Sequence, residues 1–442
     1  MHVDSAVSTL DPRAGVTMLN SASVNAVQNA KFSSRFVRPL YDSYCFANLP
    51  QTIEFLLSGK GQNGFPVDVF GSLPTHYNKV ILFFIDAFGW RFFEKYAEHY
   101  EFLKTVLKYG IASQLTSQFP STTAAHVTCI HTGLNVGQSG VYEWNYYEPL
   151  VDEVITPLLF SYAGDRERDS LKRSGIPSEA FFPRQTFYRR LQRYGIHSYI
   201  FQNQAYTPST YSDIVYRGAT VVPYRTIIEA LTQLGELIVS EKTSPSYYFL
   251  YFDKIDAICH LYGPHSRQFE VVMDRFLTAM DVIFYKAAHG NSPDTLLIMT
   301  ADHGQIEVDP KRTFYLNRYA PGIEHYLRTN MRGNFLVPAG SARDMFLHVR
   351  EDVLDEAIAF LQKRLEGRAE IYPTRALVEQ QFFGSQQLSK EFLQRVGNLV
   401  ILPYEHETVW WHEERRFDMH FLGHHGGLTP EEMEIPLLLL PL

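Results

Sequence analysis

The sequence predicts an α/β fold, a doubly wound and mostly parallel sheet with helices on both faces, carrying a small α+β cap insertion. Three observations predict it. Apolar runs of strand length recur along the chain with helical stretches between them. The runs are continuous rather than alternating, which suits strands buried on both faces. Acidic residues sit at or just beyond the ends of three of them, where an open sheet of this kind gathers its ligands, outside the carboxyl ends of its strands.

The 442 residues, 45% hydrophobic and 14% aromatic, can fill one large core with an insertion, or two or three domains. Residues 1–30, rich in Ala, Ser, Val and Asn without a firm period, read as an N-terminal arm, mobile or docked. Residues 31–305 read as the α/β core. KVILFFID, from Lys79, is its first clear strand, and IASQLTSQFP, HSYIFQN, SYYFLYFD and TLLIMTAD repeat the theme. Between the last two, Phe269, Val272, Met273, Phe276 and Met280 recur at the three- and four-residue spacing of an amphipathic helix. Residues 306–400 differ in texture: RDMFLHVR reads as a strand, VLDEAIAFLQKRLEG as a helix stopped at Gly367, and AEIYPTRALVEQ follows. Segments with metal-binding side chains flank this stretch, so it is expected to cap the site. Residues 401–442 complete the core, with EIPLLLLPL returning to the main sheet.

A formal net charge of −8 and the lack of a long Lys/Arg run argue against a nucleic-acid polymer as a structural partner, though not against a nucleotide substrate. Positive field at a site would then come mainly from metal. Cys45, Cys129 and Cys259 form no CxxC pair, which suits structural thiols in a reducing compartment. The opening MHVDSAVSTLDPRAG lacks the charge and apolar core of a leader, and no stretch approaches the roughly 18 to 20 apolar residues of a membrane span. A cytoplasmic, soluble protein is expected.

Taken singly, the chemistry-bearing motifs are weak. Asp86 after KVILFFI is as readily a helix cap as a ligand. Asp256 and His260, four apart, share one face of a helical turn and can grip one ion; a surface pair is the plainer alternative. Asp302-His303-Gly304 leaves a strand with a glycine that permits the turn, and His425-Gly426-Gly427 has the same character, with His424 as a rival ligand. In FPSTTAAHVTCIHTG, Thr123 falls at the start of a short helix ending near Gly133. A hydroxyl there faces free N–H groups and the positive end of the dipole, which favour an alkoxide and an approaching phosphate; simple capping explains the pattern equally well. Asp253 reads as a loop-orienting or capping residue. The aromatic clusters YEWNYYEP and VWWHEE read as core or interface, or as a stacking slot for a base.

In order, these segments resemble the alkaline phosphatase superfamily, and within it the type I phosphodiesterase/nucleotide pyrophosphatase family. The resemblance rests on Asp86, on Thr123 ahead of Thr132-Gly133, on Asp256-Ala-Ile-Cys-His260-Leu-Tyr-Gly-Pro264, on Asp302-His303-Gly304 and on His425-Gly426. It implies an alkaline phosphatase-like fold and two metal sites: Asp86, Thr123, Asp302 and His303 holding one divalent ion, Asp256, His260 and His425 the other. Carboxylate and imidazole ligands without thiolate suit zinc, with manganese or iron as alternatives. Two ions about 4 Å apart can clamp the attacking and leaving oxygens of an in-line displacement, with a covalent phospho-threonine on Thr123 that water then hydrolyses. The resemblance also calls for an asparagine about twenty residues after the nucleophile to hold a non-bridging oxygen. Asn145 is the candidate, with Trp144 one residue away; Thr122 is the alternative nucleophile. The implied substrate is a small phosphodiester or nucleotide pyrophosphate. A phosphonoacetate-type hydrolase, a phosphomonoesterase and a catalytically idle nucleotide-binding relative are the alternatives on the same scaffold.

Overall fold

The computed structural model describes residues 18–165, 167–241, 245–292 and 294–442. Seven strands build the main sheet: β1 (Lys79–Ile85), β2 (Ile111–Thr116), β3 (His197–Asn203), β4 (Thr220–Tyr224), β5 (Ser246–Phe252), β6 (Thr295–Thr300) and β7 (Glu434–Pro441). Their order is β2-β7-β6-β1-β5-β3-β4. All pairings are parallel except those of β7, which inserts antiparallel between β2 and β6. Every residue of β1, β2, β5 and β6 is buried, as expected of continuous apolar runs covered on both faces. The edge strand β4 escaped the pattern reading: it is short, half-exposed and contains Pro223, which an edge tolerates.

The register of the central strands positions the site. Ile85 pairs with Phe252 and Phe84 with Thr300, so three neighbouring parallel strands end at nearly one level. Asp86 leaves β1 there, Asp253 and Asp256 follow β5, and Asp302 follows β6. The expected amphipathic helix spans Arg267–Ala279, burying Phe269, Met273 and Phe276, and runs on through a wider π-type turn that buries Met280. Cys45, Cys129 and Cys259 are all buried and free. Among the described residues no helix is long and apolar enough to cross a membrane.

Of the N-terminal arm expected over 1–30, residues 1–17 lie outside the described residues. Residues 18–30 dock: Asn20 caps helix α1 (Ser21–Asn29) through Ser23 N at 3.2 Å, and Asn20 N donates to Ala112 O of β2 at 2.8 Å. The cap region holds a three-stranded antiparallel sheet of Met345–Leu347, Leu399–Pro403 and Ala369–Pro373, with a helix over Leu354–Arg364. Its central strand straddles residue 400, where the insertion was expected to end. The small core also continues through Trp410 and Met419 and takes Val154 and Ala163 from a hairpin sheet near residues 146–162. The cap's packing thus reaches further along the chain than composition suggested, because strand partners follow hydrogen bonding rather than local texture.

The cap is clipped to the last segment of the core by a buried ion pair. Arg343 Nε and Nη2 donate to Glu432 Oε1 and Oε2 at 3.0 and 2.8 Å, and both side chains are fully buried. Removing one partner strands a charge in the interior, which costs about 3–5 kcal/mol. Arg343→Met is expected to lower the unfolding free energy by that amount in denaturant titration, with Arg343→Met/Glu432→Leu less destabilised than the sum of the two single variants.

Candidate active site

Thr123 opens the helix α2 (Thr123–Thr132), which ends at Gly133 in the left-handed region, φ 73°. Thr122 precedes it in extended backbone and makes no capping bond, so the first N–H groups of α2 are not taken by its hydroxyl. That hydroxyl instead faces the Glu143 carboxyl. The Thr123 hydroxyl lies 3.4 Å from Asp86 Oδ1, to which it donates, and 3.2 Å from His303 Nε2.

The structure brings the predicted residues together in two adjacent groups. Asp86, Asp302 and His303 form one, all buried, with His303 Nε2 3.5 Å from Asp86 Oδ1 and 3.3 Å from Asp302 Oδ2. Asp256, His260 and His425 form the other, with His260 Nε2 3.3 Å from Asp256 Oδ2 and His425 Nε2 3.6 Å from Asp256 Oδ1. In each group the candidate ligand atoms lie within 4.8 Å of one another. The two groups touch where the rings of His303 and His425 stack, centroids 3.6 Å apart. Asp256 and His260 project from one face of a helix over Lys254–Tyr262. His424 belongs to neither group: its Nδ1 accepts from His425 N at 2.8 Å. Asp253 makes no capping bond, and its Oδ2 accepts from Tyr206 and Lys254.

The hydrogen bonds around the histidines set their chemistry. Nδ1 of His303, His260 and His425 faces the carbonyls of Gly304, Gly423 and Ser121 at 3.0, 2.8 and 2.9 Å. Facing a carbonyl, each Nδ1 carries the proton, which leaves an Nε2 lone pair aimed at carboxylate oxygens. Lone pair against lone pair is repulsive unless a cation lies between. Asp302 Oδ2, fully buried, has no hydrogen-bond partner, while Oδ1 takes the N–H groups of Ala87 and His303, both at 3.0 Å. Burial first, then the negative charges of Asp302 and Asp256, push the Asp86 carboxyl well up; burial lifts Asp302 to about 7 and depresses His303 to about 4. Such a donor set, dry, crowded with carboxylates and preset with neutral imidazoles, fits divalent cations.

Supporting residues escaped the motif reading. Tyr251 donates its hydroxyl to Asp86 Oδ2 from within β5, where every residue of the run reads simply as core. Gln305 donates to Asp256 Oδ1 at 2.5 Å; its place directly after Asp302-His303-Gly304 was the available clue. Ala87 sits at φ 62°, a left-handed conformation that turns the chain sharply after Asp86. Glu143 and Asp344 are fully buried neighbours, Glu143 raised by burial to about 7 and Asp344 raised by burial and by Glu143. Glu143 Oε1 and Asp344 Oδ2 are buried without a hydrogen-bond partner.

Two cavities open from the site. A histidine-lined one of about 370 Å³ includes His260, His424, His425, Trp410, Phe417, Met419, Phe421 and Asn145. A tyrosine-lined one of about 210 Å³ includes Asp86, Tyr206, Tyr211, Tyr216, Tyr251 and Arg168. Thr123, Trp144 and Asp256 line both. Asn145 is buried on the histidine side, its Oδ1 accepting from Thr156 Oγ1 at 2.7 Å.

Against this geometry, the profile of the type I phosphodiesterase / nucleotide pyrophosphatase family matches residues 80–428. The chain belongs to that family. Ectonucleotide pyrophosphatase/phosphodiesterase family member 3 of Rattus norvegicus is 24% identical over 254 residues, 56% of this chain. That match spans about a quarter of the relative's own length, 27%. Among solved structures, murine ectonucleotide pyrophosphatase/phosphodiesterase 5 superposes with a TM-score of 0.60 at 20% identity, covering 81% of this chain and 87% of its own. An inactive threonine-to-alanine variant of that mouse protein in complex with AMP gives 0.60 at 19% over the same shares. The human counterpart gives 0.59 at 18%, over 82% and 87%. At these identities the likeness concerns the fold, an α/β core with a mostly parallel sheet.

The glycines after His425 let the cap approach. A Cβ at Gly426 would fall 2.4 Å from Ser341 Oγ and 2.7 Å from Asp344 Oδ1, at φ 124°. Gly175 also has positive φ, 70°, but open space around it. Gly175→Ala is expected to cost the about 1–2 kcal/mol of left-handed backbone strain alone. Gly426→Ala is expected to cost clearly more, read as a larger fall in thermal midpoint.

Proposed function

We propose that this chain hydrolyses phosphodiester or pyrophosphate bonds by attack of Thr123 on phosphorus. The observation that carries the reading is the meeting of two cavities at Thr123 and Asp256. A phosphodiester has two organic arms and a phosphomonoester only one, and a site with one chamber on each side of the nucleophile accommodates the former. The family membership supports the same reading.

In this mechanism Asp86, Thr123, Asp302 and His303 would hold one divalent cation and Asp256, His260 and His425 a second, zinc being the first choice for this donor set and manganese or iron the alternatives. When bound, such a pair supplies positive charge that acidifies the Thr123 hydroxyl and offsets charge on the phosphate and leaving oxygens. Thr123 Oγ1, its proton having passed toward Asp86 Oδ1, 3.4 Å away, forms the bond to phosphorus as the ester P–O bond breaks, and the leaving oxygen departs with the bonding pair and takes a proton from solvent. The N–H groups at the start of α2 face the incoming anion. Asn145, its Oδ1 held by Thr156, keeps its amide NH₂ as a donor for a non-bridging oxygen. Water then attacks phosphorus, the Thr123 Oγ–P bond breaks, and the hydroxyl regains a proton. Tyr251 and Gln305 hold Asp86 and Asp256 in orientation. Three buried free cysteines suit a cytoplasmic setting, which is part of this reading.

Thr123→Ala is expected to lose turnover by about a thousandfold or more, while elemental analysis still finds close to two divalent ions per chain, because Asp86, Asp302 and His303 remain. A dead Thr122→Ala beside an active Thr123→Ala would move the nucleophile by one residue.

Charge separates diester from monoester. Arg416 and Arg168 are the basic residues on the cavity walls, and both are engaged: Arg416 with Glu413 and Ala163 O, Arg168 with Ala205 O. On the histidine side a monoester dianion therefore finds no unpaired guanidinium among the described lining residues, and each factor of ten in rate corresponds to about 1.4 kcal/mol. Aryl phosphodiester kcat/KM is expected to exceed that of the matching monoester by at least about a hundredfold, and Asn145→Ala to lower diester turnover. A monoester preference overturns the functional reading.

A further inference from the structure

The tyrosine-lined cavity holds two buried polar side chains that take no part in the steps above. Thr123, Val127 and His131 line it at four-residue spacing, so it follows one face of α2 from the nucleophile to the last turn, about 12 Å of helix. Gln202, near the end of β3, lines it as well. His131 is 1% exposed and Gln202 3%. A tyrosine hydroxyl holds one end of each: Tyr216 donates to Gln202 Oε1 at 3.2 Å, and the Tyr188 hydroxyl lies 2.6 Å from His131 Nδ1. Tyr216 also ties the two together, its ring packing on that of His131 with centroids 4.7 Å apart. Among the described residues neither Gln202 Nε2 nor His131 Nε2 has a hydrogen-bond partner. A buried amide and a buried imidazole, each with one end left open, are costly in a core unless what enters the cavity completes them.

Chemistry narrows what that is. Gln202 Nε2 donates, so it calls for an acceptor oxygen. His131 Nε2 donates or accepts according to whether Nδ1 or the Tyr188 hydroxyl supplies the proton between them, and a group that can do both suits either case. Charge does not suit this end of the cavity. Burial pulls His131 down to about 3, which keeps the imidazole neutral, so a carboxylate or ammonium there would lose its water and meet no counter-charge from either residue. Arg168, the one Lys or Arg among the described residues lining the cavity, lies over the ring of the exposed Tyr206 and so belongs to its open side. Direction says which arm arrives. In an in-line displacement the departing oxygen lies opposite Thr123 Oγ1, which stands beside Asp86 on the tyrosine side. The leaving arm then departs toward His260 and His425, which line the other cavity, and the retained arm is left to the tyrosine side.

We infer that Gln202 and His131 are specificity-determining residues that bind the far end of the retained arm and select an uncharged group with an acceptor oxygen, a hydroxyl or an amide, over an apolar or an anionic one. This rests on the diesterase reading above. The test uses the metal-loaded enzyme and para-nitrophenyl alkyl phosphates, pentyl to octyl, whose alkyl arm ends in methyl, hydroxyl, carboxamide or carboxylate. The leaving group is constant, so only the end of the retained arm varies at each length. At the best length the hydroxyl or carboxamide end is expected to exceed the methyl end by at least about tenfold in kcat/KM, because only a polar end completes the buried amide, with the carboxylate end no better than methyl. Gln202→Leu is expected to remove most of that ratio, and His131→Phe, an independent variant, to reduce it; a merely structural role slows every ester alike and leaves the ratio unmoved. Binding gives a second readout. By calorimetry on metal-loaded Thr123→Ala protein, the hydroxyalkyl phosphate is expected to bind several-fold more tightly than the alkyl phosphate of equal length. Turnover with no preference for a polar end at any length, a preference that survives both substitutions, fastest cleavage of the carboxylate-ended arm, or equal binding of the two phosphates overturns the inference and leaves the diesterase reading standing. No turnover of any ester overturns both.

Discussion

Glu432 and Arg343 bury two opposite charges with no exposed side-chain surface, which is tolerable only because nearly every polar hydrogen and lone pair finds a partner. Beyond Glu432, the Arg343 guanidinium donates to the carbonyls of Tyr404 and Glu407. Glu432 in turn accepts from Gly427 N at 3.0 Å and from the Thr429 hydroxyl at 2.7 Å, closing a capping box on Pro430–Met433. One interaction therefore joins the cap, the loop after its central strand, the glycines following His425 and the entry to β7. His425 comes from the far side of a long insertion, and that joint holds the segment following it while its ring bonds Ser121 O and stacks on His303. Ser341 extends the joint, its hydroxyl bonding Asp344 Oδ1 at 2.5 Å and His425 O at 3.3 Å.

The site on the other side of that joint is an electrostatic compromise. Parallel strands ending at one level deliver Asp86 and Asp302 into a dry bowl, and burial alone would neutralise them. The protein answers with donors that orient rather than neutralise: Tyr251 on Asp86, the Ala87 and His303 amides on Asp302, Gln305 on Asp256. Asp256 differs. Burial would raise it, yet His260, His425 and His303 together hold it low, and His260 is raised in turn. The two groups of the site are thus unequal, one gathering two carboxylates and an imidazole, the other one carboxylate and two imidazoles.

Much of this was legible in the sequence because it follows local rules. Continuous apolar runs announced β1, β2, β3, β5 and β6, and a carboxylate after three of them located the mouth of the sheet. Four-residue spacing put Asp256 and His260 on one helical face. What stayed hidden depends on register between distant segments. Tyr251 reaches Asp86 because β5 pairs with β1 at Ile85 and Phe252, a match no single run encodes. Asp344 and Glu143 meet across some two hundred residues of chain, and nothing near either announces it. The sheet to which Leu399–Pro403 belongs also stayed hidden, because the strand looks like any core strand and reveals its sheet only through its partners.

Trp144 brings these levels together. It follows Glu143, whose carboxyl accepts the Trp144 N–H, and it precedes Asn145, whose Oδ1 accepts from Thr156 Oγ1 and whose carbonyl accepts from Gly340 N at 2.7 Å. The backbone on both sides is therefore pinned to the cap and to the buried acid pair, while the indole itself remains 42% exposed between the two cavities. The pinned backbone fixes where the Trp144 side chain leaves the main chain, beside both chambers. The two chambers differ in what they offer, hydroxyls and an arginine on the tyrosine side, apolar walls on the histidine side. A substrate with two unlike arms can then settle in one orientation, and in that orientation the in-line geometry at Thr123 decides which arm departs.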